Sequence, residues 1–400
     1  MSPLPSRNDI PESSLLFFLA LCDPSRTSLA VSASEQEWEN ISSLARLHGL
    51  TPFLYYRARS LGIRLPQKIE KEWLGHYLYQ IAQEKMARAQ IKELKEILDP
   101  AGVPFILLKG ASAMLRLYPE QGLRTFCDLD VLIPADKASV FKRIMRMKGY
   151  KPLATLTSPE DEDLQQFECH LDPLCKEDAL TIEAHVSILG GKGNYSAALP
   201  EIWQEKEEIN INQIATNHLS KEHFLIHIFL HWIKDFSYSG LVETKGFIDA
   251  LHALRTWRID WSKFQDMARR WDVEREILPL IAAMNHYWQA SIPLADEVRP
   301  LNLRTLVFGA ENKEKHYHSN IPRDYIKRLL LTKDLPDTLS RIRYVLHLLF
   351  PSQENLRRRF KLHSTRSTVP YYLPYILLIC RRFFVGLWYR FLYHAEDGLS

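Results

Sequence analysis

The sequence lacks any apolar run long enough to cross a bilayer. Its longest, Val369 to Cys380, falls short of the about 20 residues that a spanning helix needs, and Arg381 and Arg382 close it. Cysteine is sparse as well: Cys22, Cys127, Cys169, Cys175 and Cys380, scattered over 400 positions, do not make a disulfide framework. No charged start followed by an apolar stretch marks a signal peptide after Met1, so the expected compartment is the reducing cytoplasm. The paired CxxC spacing of a structural zinc site is missing, and Cys169, His170 and Cys175 read as a loop with two free thiols. A strong charge of one sign is missing too. The formal net charge of +3 is too small for the whole molecule to attract polyanions through its mean field. There is no internal repeat and no low-complexity block.

What is present is an ordinary globular composition, 46% hydrophobic and 25% charged, in a chain long enough for two or three domains of roughly 100–200 residues each. Four stretches differ in pattern. Residues 1–100 read as a helical lead-in, with Trp38, Ile41, Leu44 and Ala45 at helical spacing and Leu74, Tyr77, Leu78 and Ile81 continuing it. Ala87, Ile91, Leu94 and Ile97 then form one apolar stripe. Residues 101–215 alternate strand and helix, and residues 216–335 return to helical periodicity. Residues 336–400 form a tail that is basic and aromatic together. From Arg341 to Arg390 the tail holds ten Lys/Arg against Glu354, a local charge of 10 − 1 = +9.

The alternating stretch carries the chemistry. Val103 to Leu108 is a short apolar run bounded by Gly102 and Gly110, a buried strand, and Ala111 to Tyr118 a short helix. Cys127 to Ile133 is a second strand, Asp136 caps the helix that follows, and Leu180 to Ile188 is a third strand. Side chains alternate across a strand, so Asp128 and Asp130 share one face while Leu129, Val131 and Ile133 share the other. Two neighbouring carboxylates repel, and a divalent cation such as Mg²⁺ or Mn²⁺ resolves the conflict with the hard oxygen ligands it prefers. Taken alone, the pair can equally line the solvated face of an edge strand. The preceding Leu107 to Ser112 segment argues otherwise, because a strand running through Gly110 into a helix N-terminus presents backbone N–H groups and a positive dipole to a phosphate.

Lys109 and Arg124 flank this site in sequence and supply cations for a polyphosphate, and Ser112 adds a hydroxyl. Their plainer alternatives are a solvated strand-end lysine and a structural ion pair. A third carboxylate is expected where metal ions assist in-line attack, and Glu183 fits, sharing a polar strand face with His185. His223, His227 and His231 recur every four residues along one helix face, open to metal, phosphate or a cleft lining. Lys245 and Asp249, one turn apart, read as a pair, with a nucleotide within reach of the lysine as the other reading. The tail leaves three readings open: an interfacial helix on an anionic membrane surface, an RNA-stacking surface through residues such as Tyr371, Tyr375, Phe383 and Trp388, or a terminal helix packed on the body.

From Phe105 to Tyr150, with LLKGASAMLRLYPEQGLRTFCDLDVLIP and then a helix ending in Gly149-Tyr150, the chain resembles the uncharacterised nucleotidyltransferase family of the DNA polymerase beta superfamily. The resemblance covers roughly residues 35 to 275. It implies a helical lead-in, a Lys-Gly turn, an Arg before the DxD strand, a later acidic-x-His strand and a helical C-terminal half. Glu183-Ala184-His185 matches that strand, with Glu where Asp is often found, and Gly110-Ala111-Ser112 departs from the usual Gly-Ser pair.

The expected fold is thus α+β and mostly helical: a small polymerase-beta-like mixed sheet, the nucleotidyltransferase core at 101–215, flanked by helical regions. The expected function is metal-dependent transfer of an NMP from an NTP, with release of pyrophosphate, to an acceptor that is a small molecule, a protein or RNA. Asp128, Asp130 and Glu183 would be catalytic and metal-binding, with Lys109, Gly110, Ser112, Arg124 and His185 at the nucleotide. An inactive nucleotide- or RNA-binding module of the same fold, or a peripheral membrane protein, is the alternative.

Overall fold

The computed structural model describes residues 9–30, 32–153, 171–188, 195–211, 214–238, 244–295 and 297–309, with short pieces between 342 and 381. Cys169 and His170, most of the polar stretch after Ser158, and the tail residues Phe383, Phe384, Trp388, Tyr389 and Phe391 lie outside the described residues.

The chain begins with four helices: α1 (Glu12–Cys22), α2 (Glu35–Leu47), α3 (Thr51–Ser60) and α4 (Gln67–Leu98). Helix α2 starts on a capping box, in which Glu37 N–H donates to Ser34 Oγ and Ser34 N–H donates to the Glu37 carboxylate. Helix α4 corrects the sequence reading in two ways. It is one continuous helix of 32 residues, and its buried side is not the one marked by Leu74 and Leu78, which are exposed. The buried stripe runs instead through Trp73, Gln80, Glu84, Ala87, Ile91, Leu94 and Leu98. Gln80, Glu84 and Gln90, all buried on α4, break its apolar signature, and each has a partner, Gln90 Nε2 donating to the Leu180 carbonyl at 2.8 Å. Gln80 Nε2 donates to the Arg124 carbonyl at 3.2 Å, and the Glu84 carboxylate accepts from Arg88 at 2.6 Å and from Gly122 N–H at 2.7 Å.

A seven-stranded mixed sheet follows, built from β1 (Ile106–Leu107), β2 (Asp128–Leu132), β3 (Lys151–Pro152), β4 (Leu174–Cys175), β5 (Thr181–His185), β6 (Glu207–Ile211) and β7 (Ile214–His218). Its spatial order is β3-β4-β5-β2-β1-β7-β6. The central pairs are β5 with β2, parallel, β2 with β1, antiparallel, and β1 with β7, parallel. Helix α5 (Lys109–Arg116) links β1 to the segment before β2, α6 (Ala138–Met147) follows β2, and α7 (Tyr195–Gln204) precedes β6. Asp136 does not cap α6 as expected. It sits inside a 3-10 turn, Ala135–Lys137, entered from Pro134, and the α-helix begins only afterwards. Five further helices complete the described body: α8 (Lys221–Tyr238), α9 (Lys245–Thr256), α10 (Trp261–Arg270), α11 (Glu274–Trp288) and α12 (Leu303–Phe308).

The two faces of the sheet belong to different cores. Leu129, Val131 and Ile133 join Ile182, Ala184 and Val186 against the α4 stripe and against Phe141 and Met145 of α6. On the other face Ile106, Leu108 and Leu132 enter a core shared by helices α1–α3 and α8–α12, so the helical stretches from both ends of the sequence pack together. Polar ties cross that junction: Trp288 Nε1 donates to the Leu19 carbonyl and Arg304 to the Ile10 carbonyl, both at 3.1 Å. The architecture is α+β and mostly helical, with helices on both sides of a mixed sheet.

Gly122 fixes the crossing between α4 and the segment that leads into β2. Its φ is +78°, and a Cβ there would stand 2.5 Å from Ile81 Cγ1 and 3.1 Å from the Ile81 backbone nitrogen. Gly122→Ala is therefore expected to destabilise by about 2 kcal/mol, from the left-handed backbone and overpacking together. Chemical denaturation measures it, and an unchanged midpoint would contradict the close approach.

Several histidines are sealed inside and uncharged. Burial pushes His252 down to about 4, with Arg255 and Arg57 adding to it, and pushes His218 down to about 3 with help from Arg116. His227 is fully buried and held well below the ordinary imidazole value, again chiefly by burial. A histidine whose folded-state value lies below about 6.5 leaves the unfolded chain binding more protons, so stability falls as pH drops through the unfolded value. Between pH 6.5 and pH 5, His252 alone is expected to remove about 2 kcal/mol, and His218 and His227 act in the same direction. Asp128, pushed up to about 6, regains only about 1 kcal/mol over that interval. The melting temperature should thus fall on mild acidification, and a midpoint flat between pH 7 and pH 5 would count against neutral buried imidazoles.

Candidate active site

The parallel pairing of β2 with β5 sets the site. Its register puts Asp128 beside Thr181, Asp130 beside Glu183 and Leu132 beside His185. Since side chains alternate, all six project from the same sheet face, the one turned toward α8 and α9. The carboxylate oxygens of Asp130 and Glu183 and a ring nitrogen of His185 lie within 4.8 Å of one another. Asp130, nearly fully buried, is the hub: its Oδ1 accepts from Lys109 Nζ at 2.6 Å and lies 2.8 Å from His185 Nε2.

The electrostatics separate the two aspartates. Burial pushes Asp128 up, the charges of Asp130 and Glu183 push it further, and it reaches about 6 despite Lys109 and Lys245. Burial would also raise Asp130, but its bonds to His185 and Lys109 outweigh that and hold it below the usual carboxylate range. Burial alone would depress Lys109, yet Asp130 chiefly, with Glu183 and Asp128, keeps the ammonium above its ordinary value. The cluster is therefore anionic beyond what one lysine neutralises.

Lys109 reaches Asp130 through an unusual backbone. At the end of β1 it adopts φ +41°, a left-handed conformation rare outside glycine, and opens α5 directly. The α5 N-terminus has no side-chain cap, and its first residues, Lys109 and Gly110, line the cleft. Gly110 is packed tightly there: a Cβ would lie 3.1 Å from Phe126 Cβ.

The remaining cleft wall comes from Arg124 to Cys127, from Ile228, His231, Trp232 and Asp235 on α8, and from Lys245, Gly246 and Asp249 on α9. The pairing read between Lys245 and Asp249 is displaced by a longer one. Asp249 is buried and takes Arg124 in a bidentate ion pair, Nε to Oδ1 at 2.8 Å and Nη2 to Oδ2 at 2.7 Å, while Tyr118 donates its hydroxyl at 2.7 Å. Arg124 also donates to the Thr125 carbonyl, so it is anchored to protein on several sides while still lining the cleft. Ser112 corrects the expectation more sharply. It is fully buried off the cleft, with its hydroxyl 2.9 Å from His218 Nδ1, because α5 turns that side toward β7.

The histidine row on α8 grades from core to cleft. His223 and His227 are buried, and His231, half-buried, lies 3.1 Å from Asp235. His223 belongs to a second acidic group with Glu201 and Glu205. Arg270 grips both Glu201 oxygens at 2.8 Å and Lys263 holds Glu205 at 2.7 Å, so that group is an ion-pair network already neutralised by cations. Sequence reasoning did not assemble the α8 and α9 wall. The one-turn spacings of His231 with Asp235 and of Lys245 with Asp249 were the available signal, but nothing local tied them to β2.

Over residues 34–289 the chain matches the family described as uncharacterised nucleotidyltransferase. No curated protein matches it. Among solved structures, it is similar to an antigenic nucleotidyltransferase-like protein from Paracoccidioides brasiliensis, 13% identical, with 52% of this chain and 94% of that chain covered at a TM-score of 0.34. That likeness is too slight to bear on the site. The family match spans more than half of the chain and includes both carboxylate strands, the Lys109-Gly110 turn and the α8 and α9 wall: this protein belongs to the uncharacterised nucleotidyltransferase family.

Proposed function

We propose that the cleft binds an NTP together with Mg²⁺ or Mn²⁺ and transfers its NMP to an acceptor. The observation that carries this reading is the gathering of Asp128, Asp130 and Glu183 from two adjacent parallel strands beside Lys109 and an uncapped helix N-terminus. The donor set suits a hard divalent cation: the Asp130 and Glu183 carboxylates lie close together, and Asp128, on the same strand face, is raised by burial and then by the charges of those two. Asp128, Asp130 and Glu183 would hold it, and when bound it lowers the pKa of the attacking group and offsets charge on the polyphosphate.

The chain's own groups do the rest. At the uncapped α5 N-terminus Gly110 would offer its backbone N–H to a phosphate, and Lys109 would supply an ammonium beside it. His185 orients Asp130. The acceptor hydroxyl or amine attacks the α-phosphorus, the bond to the α,β-bridging oxygen breaks, and pyrophosphate departs with that electron pair. Glu183 is the base for the acceptor's proton. Trp232 lines the cleft with its buried Nε1–H unpartnered, a donor that a bound ligand satisfies. Arg124 and Asp249 brace the wall rather than touch phosphate.

The test is incubation of purified protein with α-labelled NTPs, Mg²⁺ and cell extract, following label on macromolecules and small molecules together with pyrophosphate. Labelled acceptor with matching pyrophosphate is expected. Nucleotide binding with neither product would identify an inactive binding module instead.

A further inference from the structure

We propose that the C-terminal segment docks this protein on an anionic membrane surface. Two sets of aliphatic side chains carry the argument. Ile342 and Leu346 sit one helical turn apart, and Val369, Leu373 and Leu377 recur every four residues over a 3-10 turn and the helix 372–377. All five, and Phe350 with them, are between 50% and 70% exposed. Most of the described aromatic side chains pack together instead. Tyr375 is buried with Leu356, Phe360 and Tyr372 pack against them, and ring pairs join Phe350 to Tyr372 at 6.3 Å and Phe360 to Tyr371 at 5.1 Å. The described part of the segment thus keeps a small core around Leu356 and Tyr375 and leaves two rows of apolar side chains outward, an arrangement that is costly in water and marks a binding surface.

The charge says what covers it. Residues 341–390 carry ten Lys/Arg and one acid, and Arg381, exposed, lies one turn beyond Leu377. Aliphatic side chains entering the acyl boundary while arginines reach lipid phosphates is how an interfacial helix binds, and the basic excess selects anionic headgroups. RNA fits less well among the described residues: bases stack on aromatic rings, and Phe360, Tyr371, Tyr372 and Tyr375 pack with one another or with Leu356, while five of the six exposed apolar side chains are aliphatic. Among the described residues no helix is long and apolar enough to cross a membrane, and in the sequence Arg381 and Arg382 close the apolar run from Val369 before it reaches spanning length.

The test is co-sedimentation of the full chain with phosphatidylserine-containing vesicles and with vesicles of phosphatidylcholine alone, at low and high salt. Binding to the anionic vesicles that weakens with salt is expected. Leu373→Glu with Leu377→Glu should weaken it at least about tenfold, with an unchanged melting temperature because both side chains are exposed. Absence of anionic-vesicle binding, or a double variant that binds as tightly as the parent, overturns the proposal. So does retention of single-stranded RNA, lost in the double variant, by a protein that ignores vesicles. None of these readouts depends on catalysis.

Discussion

Asp128→Asn is expected to lower nucleotidyl transfer by about 10²–10⁴-fold while leaving the melting temperature unchanged or higher. The two effects part because Asp128 is ionised at a cost. Burial and the charges of Asp130 and Glu183 push its carboxyl up to about 6, so at neutral pH the folded protein holds an unfavourable charge that Asn removes. Relief on the order of 2 kcal/mol is the ceiling, since part of the cost is screened by solvent at this half-buried position. Asp130→Asn should behave differently. Its carboxylate is bonded to Lys109 and His185 and lies below the usual range, so the variant loses turnover and stability together. Pyrophosphate release and thermal melts on the same preparations separate these outcomes. Wild-type turnover in both variants would falsify the carboxylate cluster as the reaction centre, and a lower melting temperature for Asp128→Asn would mean that its charge has a stabilising partner.

That contrast shows how far the linear sequence reaches. The alternation of Asp128, Leu129, Asp130 and Val131 placed both aspartates on one face, and the same rule put Glu183 and His185 on one face of another strand. Period two is a local property, and β2 and β5 are long enough to display it. Their adjacency was not local: only the parallel register brings Glu183 beside Asp130. Strands β6 and β7 escaped notice because Glu207–Ile211 and Ile214–His218, though as long as β2 and β5, are rich in polar residues, as the edge position of β6 allows. In α4 the stripe through Ala87, Ile91 and Leu94 was legible, but Leu74 and Leu78 pointed to the wrong side, since Gln80 and Glu84 are buried by virtue of partners more than 35 residues away. Ser112 failed as a phosphate ligand for a related reason. Its burial is set by His218, contributed by β7, a strand that the sequence did not reveal.

The second large effect is expected at Asp249. Asp249→Ala leaves the Arg124 guanidinium, only 8% exposed, without its counter-charge, and strips the Tyr118 hydroxyl of its acceptor. Breaking a buried pair on one side costs about 3–5 kcal/mol, because the surviving charge is neither solvated nor neutralised. Removing both charges at once, Arg124→Met with Asp249→Leu, should cost less than Asp249→Ala alone, and urea denaturation of the single and double variants measures the difference. Strictly additive losses would mean that the two side chains do not act as a pair. The position of the pair gives it a second consequence. Arg124 lies four residues before Asp128, and Asp249 lies one turn after Lys245 on α9, so the bidentate contact clamps the approach to β2 against the helix that supplies a cation to the cleft. At temperatures where Asp249→Ala remains folded, its turnover should still fall while Asp128 and Asp130 are intact, because the wall carrying Lys245 is no longer held at a fixed distance from the carboxylates.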